Sequence, residues 1–223
     1  MSHARHCVEP QSGPTGTGPA APNLLRGCGA ALLAGGVMLV VATLLHPSVE
    51  STSSILEAEK RLVAAHILFT SGFIAVLLGL PGLYARQSVR MGRLGAAGFL
   101  ASIVGTALLA VTGNFGFLAP VLAAQSPESI DAISTYPPVV VVNAVGAVTF
   151  MVGFVMFGTA MTRSATLPRA AGILVALGAP LHLIGFGLAQ FASPVLWPLT
   201  VLGSAALGAG LALAGIVLWQ GRA

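Results

Sequence analysis

Apolar runs of about 20 residues follow one another along most of this chain, separated by short polar breaks that hold nearly all of its charges. A helix of about 20 residues crosses the ~30 Å hydrocarbon layer of a bilayer, so each run reads as one membrane span. Six runs are visible, over 24–45, 60–84, 94–120, 138–161, 168–190 and 195–219. Prolines punctuate them: Pro47 closes the first, Pro120 the third, Pro137 and Pro138 precede the fourth, Pro168 opens the fifth and Pro194 the sixth. The pattern predicts an all-α, polytopic integral membrane protein, a six-transmembrane-helix bundle that forms a single domain over residues 23–223.

Residues 1–22 break the pattern. They are rich in Pro, Gly, Ser and Thr and have too few large apolar groups to offset the entropy of ordering, which predicts a disordered cytoplasmic tail. His3, His6 and Cys7 carry metal-binding chemistry, but on such a tail they are read as incidental. No apolar stretch precedes Ala20, which argues against a cleaved signal peptide.

With 56% hydrophobic and 7% charged residues, the composition leaves no room for a sizeable aqueous domain. The net charge of +4 is scattered over short loops without interleaved aromatics, which argues against nucleic acid. The lipid bilayer is the expected surround, and a second membrane protein or another copy of this chain are the partner classes that fit. Cys7 and Cys28 are too few for a disulfide framework.

Arg26, Arg86, Arg90, Arg93, Arg163, Arg169 and Arg222 all fall on one side of the six runs, while Glu50, Glu57, Glu59, Glu128 and Asp131 fall on the other with Lys60 and Arg61. Short basic loops stay in the cytoplasm, so both termini are expected there. Tyr84 and Trp219 then lie at the inner boundary and Tyr136 and Trp197 at the outer, as an aromatic belt requires. Residues 66–86 also align with 143–163, bringing Phe73 onto Phe150 and Arg86 onto Arg163, and 96–98 with 170–172. This suggests a parallel two-helix internal repeat. In composition and in its His-Pro and His-bearing spans the chain resembles the small multi-pass proteins of Ala/Gly/Arg-rich bacterial genomes. That likeness implies the bacterial cytoplasmic membrane and carries no assigned chemistry.

Polar side chains in hydrocarbon cost about 1–3 kcal/mol or more unless partnered. His66, Asn114, Asn143 and His182 all fall in the outer half of the spans, and Thr70 shares the His66 face one turn on. These five residues are the candidate ligand-binding set. Small residues flank His182 at helical spacing (Gly178, Gly185, Ala189), leaving room for a neighbouring helix or a flat ligand. His46 ends the first span among wet headgroups, where it needs no partner. Ser54 and Glu57 fit a capping box, predicting a helix that runs unbroken from Ser54 into the second span, with Glu57, Glu59, Lys60 and Arg61 on its solvated first turns. Small-residue rows Ala97–Ala101–Gly105 and Ala206–Gly210–Ala214 read as packing faces.

Three function classes fit. The first is binding or transport of a small molecule or lipid at the outer polar set. The second is a redox protein in which His66 and His182 hold haem b or another metal, since imidazole suits iron. The third is a structural or accessory subunit whose polar groups act as interhelical hydrogen bonds. No Walker loop, dinucleotide fingerprint, zinc-protease motif or paired intramembrane carboxylate is present, which argues against a nucleotide-driven pump, an intramembrane metalloprotease and a carboxylate proton relay.

Overall fold

Inside a bilayer the backbone must satisfy its own polar groups, and a helix does so residue by residue. The computed structural model describes residues 20–221 apart from Val49, Asn114 and Pro127, and no strand occurs among them. The helices are α1 (Ala20–Leu45), α2 (Thr52–Glu57), α3 (Glu59–Gly113), α4 (Phe115–Gln125), α5 (Glu128–Thr135), α6 (Pro137–Ser164), α7 (Arg169–Phe191) and α8 (Trp197–Gln220), with a 3-10 turn at Pro194–Leu196. The protein is an all-α helical membrane bundle. Most of the expected tail, with His3, His6 and Cys7, lies outside the described residues, as do Asn114 and Arg222.

Among the described residues five segments are long and apolar enough to cross a membrane, against the six expected, because the second and third runs share one 67-residue stretch, Glu59–Gln125. That stretch is not straight. Gly92 has φ 58° and ψ −160°, a region essentially reserved for glycine, and it interrupts α3. The chain reverses there. Tyr84 stacks on Phe99 with ring centroids 4.5 Å apart, whereas an unbroken helix rising ~1.5 Å per residue would hold them about 22 Å apart. Helix α3 is therefore a hairpin whose legs, 59–91 and 93–113, correspond to the second and third runs.

Helix α1 packs on the first leg and on α8, the second leg on α6, α6 on α7 and α7 on α8, closing a ring in chain order. The α1–α8 seam is close enough that a Cβ on Gly36 would stand 2.6 Å from the Gly208 carbonyl oxygen. On the second leg the row facing α6 is Gly98, Ser102 and Gly105. Ala97 is exposed, so the expected row Ala97–Ala101–Gly105 is turned by about one position. Phe73, Phe150, Phe154 and Phe157 fill the centre with Leu39, Leu80, Leu207 and Leu211. Phe73 and Phe150, matched in the internal alignment, meet edge to face at 6.0 Å. The outer faces expose Leu78, Leu100, Val141, Leu177 and Leu202, a surface suited to lipid.

A second apolar cluster, Ile55, Leu62 and Ala123 with Ala119 and Ile130, ties α2, α4 and α5 to the start of α3. Here the capping expectation is corrected. Ser51 is the N-cap, its hydroxyl accepting from the Ser54 amide while Ser54 serves as the third residue of the box. The helix also breaks at Ala58 before α3 begins. Glu57, Glu59, Lys60 and Arg61 are exposed, as a solvated turn requires.

Candidate functional site

Several helices stop at one end of the ring, and their stopping points supply the site. Helix α1 ends at Leu45, and Pro47 prevents its continuation. The connection then doubles back, so that a carboxylate oxygen of Glu50, Oε1, lies 2.9 Å from His46 Nε2 and 3.9 Å from His66 Nε2. The two imidazoles meet edge to face with centroids 5.2 Å apart. Both rings are anchored from behind. His46 Nδ1 lies 2.8 Å from the Pro47 carbonyl oxygen and His66 Nδ1 2.9 Å from that of Gly113. Gly116 of α4 backs directly onto the His66 ring, where any Cβ would collide with it. The Glu50 amide donates to Gln190 Oε1 at the end of α7, 3.0 Å away.

Aromatic rings wall the cluster. Trp197 stacks on His46 at 5.7 Å with planes 21° apart, Phe186 and Phe69 meet the same ring edge-on, and Phe117 meets His66. The His46 side chain is 1% exposed, but that of Glu50 remains 39% exposed, so the cluster opens on the carboxylate side. Desolvation acts to raise the Glu50 carboxyl, and the flanking imidazoles of His46 and His66 outweigh it, bringing the group down to about 2. It is an anion at neutral pH. His46, Glu50 and His66 form a set of the kind that can hold a metal ion, each with one ligand atom within 4.8 Å of the others.

The residues singled out from sequence scatter more than they converge. His66 is in the cluster, and Thr70 follows it one turn along α3, beside Gly113. His182 is buried on α7, its Nδ1 3.3 Å from the Thr200 carbonyl oxygen, and it lies outside the metal-type set. His66 and His182 both rest against Phe69, at 6.2 and 6.3 Å. Asn143 is exposed on α6, and Asn114 falls outside the described residues.

His46 overturns its reading as a headgroup residue: it is 4% exposed and bonded on both ring nitrogens. Glu50 is no mere loop charge. Trp197, expected in the interfacial belt, is also the ring stacked on His46. A local signal existed in "HPSVE", a histidine and a carboxylate four apart across a proline, but nothing local says that the loop folds back. No family model, curated protein or solved structure matches the chain.

Proposed function

We propose that this is a multi-pass protein of the bacterial cytoplasmic membrane that binds a small polar ligand at the mouth formed by His46, Glu50 and His66. The carrying observation is the meeting of two carbonyl-anchored imidazoles and one partly exposed carboxylate at a single open end of the bundle. The arginines of the opposite end favour the cytoplasm, which keeps both termini inside and turns the mouth outward. Capture fits better than open conduction, because Phe73, Phe150, Phe154 and Phe157 are buried in the centre of the ring.

Native mass spectrometry of the detergent-purified protein tests this reading. Ligand should remain on the wild type and on Asn143→Ala, whose side chain is exposed on α6, and be lost from Glu50→Gln. Equal occupancy in all three proteins, or none in any, would contradict it.

A further inference from the structure

We infer that the ligand of this mouth is a first-row divalent transition-metal ion, bound by Nε2 of His46, Nε2 of His66 and a carboxylate oxygen of Glu50. The inference rests on the mouth being the ligand site and names what the site takes.

Hydrogen-bond accounting leads to it. A carbonyl oxygen only accepts, so the contacts to Pro47 and Gly113 place a proton on Nδ1 of each histidine. Each Nε2 then has two options. It carries a lone pair facing the Glu50 carboxylate, which repels it, or it takes a second proton and makes the ring a cation. For His46 the second option is an imidazolium with 1% side-chain exposure. For His66 neither option completes the site, since its Nε2 is buried and has no hydrogen-bond partner among the described residues, and Glu50 stands 3.9 Å away. A dication placed among the three atoms accepts both lone pairs and neutralises the carboxylate. Donation of the remote ring N–H to a backbone carbonyl is also how metal-ligating histidines are characteristically oriented.

The dimensions agree. The three ligand atoms lie within 4.8 Å of one another, and atoms bound at ~2.1 Å to a tetrahedral ion are about 3.4 Å apart, a difference that small side-chain rotations close. The donor set narrows the ion. Two imidazoles with a carboxylate suit zinc and its divalent neighbours, whereas calcium and magnesium take oxygen ligands and copper(I) favours thiolate or thioether sulfur. The one cysteine among the described residues, Cys28, packs against Gly82, away from the mouth. Three protein ligands leave coordination positions free, the pattern of open rather than closed metal sites. The exposed flank of Glu50 marks the side on which they lie, since Trp197, Phe186, Phe69 and Phe117 close the others.

The test is a Co²⁺ titration of the chelator-stripped full-length protein in detergent, read by visible d–d absorption, with Zn²⁺ added last as competitor. Stoichiometric Co²⁺ uptake displaced by Zn²⁺ is expected. Affinity should fall at least about 100-fold in Glu50→Gln and in His66→Gln, beyond the 10–100-fold that loss of an outer-shell partner costs, and stay at the wild-type level in Asn143→Ala. Thermal unfolding of each variant establishes that it is folded. Wild-type uptake no greater than that of folded Glu50→Gln overturns the metal assignment. If native mass spectrometry then shows a small molecule retained by the wild type and lost from Glu50→Gln, the mouth remains a ligand site and only the metal falls. If the wild type retains neither, both readings fall.

Discussion

The two ends of this bundle carry their polar groups in opposite ways. At one end Arg26, Arg90, Arg93, Arg163 and Arg169 stand exposed on the rim, and the polar side chain drawn inside is a neutral amide. That amide, Gln87, accepts from the Ser164 hydroxyl at 2.9 Å and donates to the Leu83 carbonyl at 3.2 Å. At the other end ionisable groups go inside, and they do not fully satisfy one another: His46 is paired with Glu50 at 2.9 Å, while His66 Nε2 has no hydrogen-bond partner among the described residues. Long cations on a rim keep their charge in water and bias orientation. A satisfied neutral pair locks helices together. Partly satisfied ionisable groups beside an open flank do neither job well, and the proposed ligand mouth rests on that contrast.

Four substitutions or conditions separate the ends. The largest effect is expected at the arginine end from Gly92→Ala. Nothing lies within 4 Å of the added Cβ, so the cost is purely that of φ 58°, ψ −160°, about 1–3 kcal/mol in denaturant unfolding. Ligand binding at the mouth should not change. Wild-type stability in this variant would mean that the hairpin reverses without help from that backbone conformation.

Next comes Gly116→Ala at the mouth, where the new methyl displaces the His66 ring from behind. Ligand affinity should drop about 10-fold, the lower end of the range for lost outer-shell support. An unchanged binding isotherm would show that the orientation of His66 is immaterial. Gln87→Leu should be smaller, costing about 0.6 kcal/mol of stability, the average for an interhelical hydrogen bond in a membrane bundle. It should leave the mouth untouched, and lost binding would show that the two ends are coupled.

The remaining test is a pH dependence, discounted because the Glu50 side chain is 39% exposed. The Glu50 carboxyl is held at about 2 in the fold, below an unfolded value of about 4.3. Its stabilising contribution is thus complete above the unfolded value and disappears as pH falls through the folded one. With chelator present, the difference in unfolding temperature between wild type and Glu50→Gln should shrink across that interval. A constant difference would mean that the two imidazoles do not hold the carboxylate.

What the sequence made legible follows from the range of each interaction. Span positions depend on local hydropathy, and α1, α6, α7, α8 and the two legs of α3 fall where the apolar runs predict. Facing is subtler. Ala97 and Gly98 are nearly equal in hydropathy, so only packing against α6 decides which of them turns inward. Ser51 and Ser54 both have capping chemistry, and the choice rests on where the chain leaves Pro47. Gln87 was hidden among the arginines of a presumed loop, yet the tight turn at Gly92 keeps it helical and buried. The mouth was the least legible. His66 was recognisable as a histidine in hydrocarbon, but its partners arrive from the end of α1 and from a folded-back loop, and its anchor is a backbone carbonyl 47 positions away.

The most direct single measurement is metal content, by elemental analysis, paired with unfolding temperature on wild type, Glu50→Gln and Gln87→Leu purified in parallel from membranes and reloaded with Zn²⁺. Bound zinc should be lost from Glu50→Gln alone, while Gln87→Leu keeps its zinc and unfolds at a lower temperature. Zinc lost equally from both variants, or retained by Glu50→Gln, would contradict the division of labour between the two ends.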